Sequence, residues 1–298
     1  MKQLSVVADY GDLCGEAPMW DGEAGYLYWT DNIGLKFYRF QPATGIHELI
    51  KEGVEIFGIA LHEKGGFMIS NLSGIWVWDV DDQFSLITDE VEGSKCHMND
   101  CIADVNGRLF AGSFFYHPSK EYELGKLIRV DVDGSGSIVD EGFHISNGLG
   151  FSPDNTILYF TDSGARVIYA YDYDPRSGDI KNRRVAIKIP DDEGIPDGLT
   201  IDADGYIWSA QWYGSSVLRY DPDGKLERRL DTPAKQTSSI IFGGEDLTDI
   251  FITSAAMSEP MPLMPRGYDP DSGYFGGQLY HVNLGIKGKP EHRAKINK

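Results

Sequence analysis

One pattern recurs six times along the 298-residue chain and constrains its fold more than any other feature. Each copy has a strand-like apolar run, preceded by a short apolar segment and a turn rich in Asp, Asn and Gly. The copies are 40, 42, 49, 49 and 43 residues apart, counted between runs that begin at Leu27, Phe67, Leu109, Leu158, Ile207 and Ile250. A period of about 40–50 residues with several short strands is typical of a β-propeller blade. The sequence therefore predicts an all-β, six-bladed propeller that forms a single domain over residues 1–298.

The N-terminal segment, residues 4–8, precedes the first repeat and has an apolar strand-like sequence. A propeller has to join its last blade to its first, since an open ring exposes a sheet edge. We expect this segment to close the ring by adding a strand to the last blade. Residues 114–124 and 257–273 interrupt the third and sixth repeats, and we expect both insertions to lie over the mouth of the channel.

Charge and composition exclude several classes of partner. The formal net charge of −19 argues against nucleic acid and anionic membranes and favours cations. No stretch approaches 18 apolar residues and the N-terminus lacks a signal-peptide core, so we expect a cytoplasmic protein without a membrane segment. The three cysteines, Cys14, Cys96 and Cys101, form no C-x-x-C pair and are expected to be reduced thiols.

A Glu, Asn or Asp stands at the equivalent position at the start of four of the six inner strands. These residues are Glu16, Asn99, Asn147 and Asp197. Equivalent positions in successive blades converge on the central channel, so the four side chains should face one another. Two carboxylates and two amides suit a hard divalent cation such as Ca²⁺, Mg²⁺ or Mn²⁺, whereas Zn²⁺ usually prefers His or Cys. Asn-Gly and Asp-Gly are also ordinary turn dipeptides, but their coincidence in equivalent positions indicates a shared site.

Longer motifs occur in a fixed order along nearly the whole chain. They are GEAPMW at 15–20, NDCIADVNGRLFAG at 99–112, SNGLGFSPD at 146–154, PDGLTID at 196–202 and TSSIIFGG at 237–244. Together they resemble the SMP-30/gluconolactonase/luciferin-regenerating-enzyme family. The resemblance implies a six-bladed propeller with a divalent metal at the top of its channel. It places the metal ligands at Glu16, Asn147 and Asp197, a substrate contact at Asn99, and the general base at Asp197.

The sequence departs from the family pattern at two places. Animal members have an Arg two residues before the equivalent of Asn99, and this chain has His97. Residues two apart along a strand point to the same face, so His97 is expected to bind substrate beside Asn99. The loop that carries a substrate-contacting Glu in those members corresponds to residues 114–124 and does not align. The resemblance therefore carries over the metal chemistry and leaves the identity of the substrate open.

The leading interpretation is a metal-dependent lactonase that hydrolyses a sugar-acid (aldono)lactone, with Ca²⁺ as the expected ion. The cation would polarise the ester carbonyl and Asp197 would take a proton from the attacking water. A broader esterase or phosphotriesterase, and a non-catalytic propeller that binds metal or a small ligand, remain alternatives. A protein-interaction propeller is disfavoured, because it has no need to converge carboxylates. The expected partner is a small-molecule lactone, and the oligomeric state stays open.

Overall fold

The computed structural model describes residues 4–113, 124–257, 264–269, 271 and 273–297. Of the two predicted insertions, residues 114–123, 258–263, 270 and 272 lie outside these ranges. The described chain forms six four-stranded antiparallel sheets and one two-stranded hairpin. The innermost strands of the six sheets contact one another in a closed circle, which confirms the predicted six-bladed propeller. Within the described ranges, none of the segments is a helix with the length and hydrophobicity needed to cross a bilayer.

Each of the first five blades uses four consecutive strands, paired in chain order. The first contains β2 (Gly15–Asp21), β3 (Tyr26–Asp31), β4 (Lys36–Gln41) and β5 (Ile46–Glu52); the second contains β6 (Gly58–Leu61), β7 (Phe67–Asn71), β8 (Gly74–Trp78) and β9 (Phe84–Thr88). The hairpin of β10 (Glu90–Val91) and β11 (Ser94–Lys95) leads to the third blade, made of β12 (Met98–Ala103), β13 (Leu109–Ser113), β14 (Gly125–Val130) and β15 (Gly136–Phe143). The fourth contains β16 (Ser146–Phe151), β17 (Ile157–Asp162), β18 (Val167–Asp174) and β19 (Asp179–Lys188); the fifth contains β20 (Ile195–Ile201), β21 (Ile207–Trp212), β22 (Ser216–Tyr220) and β23 (Leu226–Asp231).

The sixth blade combines the two ends of the chain. It contains β24 (Thr237–Gly243), β25 (Asp249–Ser254), β26 (Gln278–Asn283) and, as its outermost strand, β1 (Ser5–Asp9). β1 runs antiparallel to β26, with Ser5 opposite His281 and Asp9 opposite Gln278. The role of β1 in keeping the ring closed stays a prediction.

Apolar packing fills the gap between every pair of neighbouring blades. Among the described residues there are six core clusters, and each one combines side chains from two adjacent blades. In β3, Leu27 and Trp29 pack toward the sixth blade, whereas Tyr28 packs toward the second. Side chains alternate between the two faces of a strand, so the apolar residues of one strand serve two gaps. This packing holds the inner strands around one axis.

The C-terminal segment, residues 284–297, was not anticipated from the repeat. It crosses the face of the ring where the inner strands end, and it contacts all six blades. Its partners are Asp21, Leu61, Gly107, Asn155, Ala203 and Leu247 in the first to sixth blades, through Arg293, Ala294, Lys295, His292, Lys287 and Gly288 respectively. The opposite face, where the inner strands begin, is left for the candidate site.

We predict that β1 stabilises the ring through the side chain of Val7, which packs on the cluster between the first and sixth blades. Val7→Asp places a charge in this apolar contact and should lower the free energy of unfolding by about 1–3 kcal/mol. Val6 is 51% exposed, so Val6→Asp is the matched control and should be nearly neutral. Urea unfolding of the three proteins measures the difference. Equal stabilities would contradict a closing role for β1.

Candidate functional site

The inner strands begin with an irregular backbone. Five of the six shift register within their first residues, between Glu16 and Met19 in the first blade and at the equivalent place in the third to sixth blades. The described inner strand of the second blade, β6, pairs without a shift. Such bulges re-aim side chains and are common beside active sites. Four of these irregularities coincide with the predicted residues, because Asn99, Asn147 and Asp197 lie within a register shift and Glu16 directly precedes one.

These four side chains line one cleft at this end of the ring. The cleft encloses about 170 Å³ and is open to solvent, so it has room for a small molecule and not for a polymer chain. The rest of its wall comes from the first, fourth and fifth blades, namely Cys14, Asn32, Ile145, Ser163, Ile195, Pro196 and Trp212. Apolar walls around a few convergent polar groups are typical of sites that bind a small organic ligand.

Direct hydrogen bonds join the two amides and anchor them to backbone. Nδ2 of Asn99 donates to Oδ1 of Asn147 and to the carbonyl oxygen of Ser146, both at 2.8 Å. Nδ2 of Asn147 donates to Oγ of Ser163 at 3.0 Å. The two amides therefore have fixed positions relative to each other and to the fourth blade.

Serine hydroxyls from neighbouring blades hold the backbone of the site. Oγ of Ser238 donates to Gly15 O at 2.5 Å, Oγ of Ser70 donates to Asn99 O at 2.5 Å, and Oγ of Ser163 donates to Pro196 O at 2.6 Å. Each acceptor is a candidate residue or directly precedes one. Sequence analysis did not identify these serines as part of the site. Ser70 and Ser163 could have been found from the repeat, because each stands at the end of the second strand of its blade, in FMISN at 67–71 and ILYFTDS at 157–163.

Carboxyl groups are crowded and poorly solvated around the cleft, with Glu16 and Asp197 in its wall and Asp100 in the wall of a second cavity. Burial, followed by the negative charge of Asp100, raises the pKa of Glu16 to about 8. Burial raises the pKa of Asp100 to about 7. Burial, with the charges of Glu16 and Asp100, raises the pKa of Asp197 well above its ordinary value. A bound cation would relieve this mutual repulsion.

The donor set fits a hard cation and not a soft one. Within the described part of the chain, no three His, Cys, Asp or Glu side chains form a metal-binding group. The cleft instead combines the carboxylates of Glu16 and Asp197 with two amide side chains. Carboxylate and amide oxygens are ligands that Ca²⁺ and Mg²⁺ accept.

His97 lies apart from this cleft. Its Nδ1 is 2.7 Å from the carbonyl oxygen of Leu72 in the second blade. His97 is not among the described residues that line the cleft. The expected alternation with Asn99 is interrupted, because His97 precedes β12 and the register shifts between Met98 and Cys101. Its part in substrate choice stays a prediction. The loop at residues 114–124, which also departs from the family pattern, lies outside the described ranges except for Leu124.

Comparison with known proteins decides the family. Residues 14–256 match the SMP-30/Gluconolactonase/LRE-like region. The chain belongs to this family. Pentonolactonase XacC of Haloferax volcanii is 34% identical to it over 290 residues, which cover 97% of each protein. Regucalcin of Oryctolagus cuniculus is 32% identical over 289 residues, which cover 94% of each protein.

A solved structure agrees with this family assignment. A luciferin-regenerating enzyme matches with a TM-score of 0.87 and 25% sequence identity, over 99% of this chain and 100% of that one. The resemblance that the sequence motifs carry is thereby confirmed for this member of the SMP-30/gluconolactonase/LRE-like family.

Carboxyl crowding in this family member predicts how stability changes with pH. In chelator-treated protein, folding raises the pKa of Glu16 from 4.5 to about 8, so the folded state binds a proton there more tightly than the unfolded state. The stability that this proton provides is fully present below pH 4.5 and is lost as the pH rises toward 8. Glu16→Gln removes this titration. The variant should equal wild type near pH 5 and exceed it in Tm by about 2–6 °C at pH 8.5, the shift that 1–2 kcal/mol produces.

Differential scanning calorimetry at both pH values checks this difference. Glu52→Gln, at an exposed position of β5, controls for loss of one surface charge. A gap between Glu16→Gln and wild type that is the same at pH 5 and pH 8.5 would show that folding does not raise the pKa of Glu16.

Proposed function

We propose that this protein is a metal-dependent lactonase that hydrolyses a sugar-acid (aldono)lactone. The observation that carries the proposal is the convergence of two carboxylates and two amides from four blades in one cleft. The full-length likeness to a pentonolactonase supports the class, a hydrolase of carboxylic esters. The size and apolar walls of the cleft favour a small ring over a polymeric substrate.

The cation would be held by Glu16, Asn147 and Asp197. Their all-oxygen donor set makes Ca²⁺ the proposed ion, with Mg²⁺, Mn²⁺ and Zn²⁺ as alternatives to be compared in the assays. When bound, a divalent ion supplies Lewis acidity toward the carbonyl oxygen of an ester.

Asp197 is the proposed general base. It is 6% exposed and lines the cleft beside Asn147 and Glu16, where its carboxylate can reach a water molecule next to a bound lactone. As base it takes a proton from water while the water oxygen bonds to the lactone carbonyl carbon. The ring C–O bond then breaks, and the proton returns to the ring oxygen. The product is the open-chain hydroxy acid.

Substrate orientation is assigned to Asn99 and His97. Asn99 lies in the cleft beside Asn147 and offers an amide to the ring hydroxyls. His97 does not line the cleft, but it stands where animal members have an Arg, and an imidazole in that place suits a substrate with less negative or differently spaced polar groups. The metal residues and the substrate residues are thus proposed to have separate tasks.

The ligand assignment predicts the effect of removing one carboxylate. Asp197→Ala should lose stoichiometric Ca²⁺ after dialysis, because it removes one of the two carboxylate ligands. Elemental analysis and calorimetric titration measure the occupancy. Asp204→Ala, at an exposed turn of the same blade, is the control and should retain the ion. Full occupancy in Asp197→Ala would overturn the assignment.

The base assignment predicts a separate effect of Asp197→Asn. The amide keeps an oxygen for the cation and cannot accept the proton from water. Turnover of an aldonolactone at saturating Ca²⁺ should fall about 10²–10⁴-fold. Acid release in weakly buffered solution gives the rate. A rate within a few-fold of wild type would exclude Asp197 as the base.

The substrate assignment predicts that His97→Arg changes the ranking of lactones and leaves the affinity for Ca²⁺ unchanged. Contacts to substrate alter kcat/KM according to the identity of the lactone, whereas loss of a metal ligand depresses all of them together. A panel of pentono- and hexonolactones, with simple esters and a phosphotriester added, measures the ranking. Uniform loss over the whole panel would contradict the role given to His97.

A further inference from the structure

A chain of hydrogen bonds crosses three blades at the candidate site. It begins at the carbonyl oxygen of Pro196, which accepts from Oγ of Ser163 at 2.6 Å. Oγ of Ser163 accepts from Nδ2 of Asn147 at 3.0 Å, and Oδ1 of Asn147 accepts from Nδ2 of Asn99 at 2.8 Å. The chain ends at the carbonyl oxygen of Ser146, the second acceptor of Nδ2 of Asn99, also at 2.8 Å.

Chemistry permits only one direction for this chain. A backbone carbonyl can only accept, so the hydroxyl of Ser163 must give its single proton to Pro196. The same hydroxyl can then only accept from Asn147, which must present its amino group to it. At the other end, Ser146 O requires the amino group of Asn99. Both amides are therefore oriented by backbone carbonyls that cannot change roles.

The direction matters because a reversed Asn147 amide would fail twice. Its amino group would face the amino group of Asn99, and two donors cannot pair. Its carbonyl oxygen would compete with Pro196 for the one proton of Ser163. In the observed orientation Oδ1 of Asn147 accepts one hydrogen bond and retains a second lone pair for a cation.

We infer that Ser163 is a positioning residue that fixes Oδ1 of Asn147 for the cation. This inference rests on the proposed function, in which Asn147 and Asp197 are metal ligands. Ser163 is 4% exposed and lies directly after β17, so it belongs to the fourth blade. Its hydroxyl thus holds the side chain of Asn147 and the backbone carbonyl of Pro196, the residue before Asp197. Partners of this kind, one step removed from the metal, typically change affinity 10–100-fold.

Calorimetric titration of the chelator-treated full chain with Ca²⁺ tests the inference. Ser163→Ala should raise the Kd for Ca²⁺ at least 10-fold. Ser163→Cys keeps a donor and an acceptor in place, although the thiol is weaker in both roles and somewhat larger, so its Kd should lie between those of wild type and Ser163→Ala. If Ser163→Ala does not fold, Ser163→Cys carries the test, with an expected rise of at least 3-fold.

Ser152→Ala is the matched control. Oγ of Ser152 is also buried and makes hydrogen bonds in the fourth blade, to Asp154 and to the backbone of Ile157, at the opposite end of the blade. This variant should lose thermal stability and keep the wild-type Kd. A structural effect alone would affect Ser152→Ala and Ser163→Ala alike.

Rate measurements separate positioning from chemistry. For Ser163→Ala the Ca²⁺ concentration at half-maximal rate should rise at least 10-fold, while kcat at saturating Ca²⁺ stays within about 5-fold of wild type. An unchanged Kd in a folded Ser163 variant, with wild type binding Ca²⁺, would overturn the inference and leave the proposed function standing. Absence of both Ca²⁺ binding and lactone turnover in wild type would overturn the proposed function itself.

Discussion

Packing between blades is the interaction on which the rest of the structure depends. Each blade has two apolar faces, and the described core consists of clusters that lie between neighbouring blades. Because six such contacts close a circle, the inner strands must meet at one axis. The candidate site is a consequence of that geometry, since four strand starts more than 180 residues apart at their extremes reach one cleft. Burial of apolar side chains, at about 25 cal/mol per Å², supplies the stability that lets the cleft hold unfavourable groups.

Those unfavourable groups are the carboxyls of Glu16, Asp100 and Asp197, whose pKa values all rise on burial. Ordinary cores avoid such crowding, and its presence at the channel mouth is the pattern expected of a functional site. Backbone N–H groups offset part of the cost, since Ala17 N donates to Oε2 of Glu16 and Cys101 N donates to Oδ1 of Asp100, while serine hydroxyls from adjacent blades hold the neighbouring backbone carbonyls. The interfaces between blades therefore have two roles. Their apolar side chains hold the blades in a ring, and their serine hydroxyls fix the backbone of the site.

The sequence predicted what depends on the repeat. The number of blades and the equivalence of Glu16, Asn99, Asn147 and Asp197 follow from a period that can be read along the chain. Features that depend on register or on contacts between blades could not be read in this way. The bulges at the strand starts are one case, and they explain why simple alternation placed His97 beside Asn99 while the structure pairs it with Leu72. The segment 284–297 is another, because it contacts all six blades without belonging to any repeat.

The central claim is that one divalent cation joins residues from the first, fourth and fifth blades. A crystal structure of protein equilibrated with Ca²⁺, with Mn²⁺ as an anomalous substitute, tests this claim most directly. The account predicts one anomalous peak in the cleft, with carboxylate oxygens of Glu16 and Asp197 and Oδ1 of Asn147 within the 2.3–2.6 Å typical of Ca²⁺–oxygen bonds. A cleft without a peak at saturating metal, or a peak whose ligands exclude these residues, would contradict it.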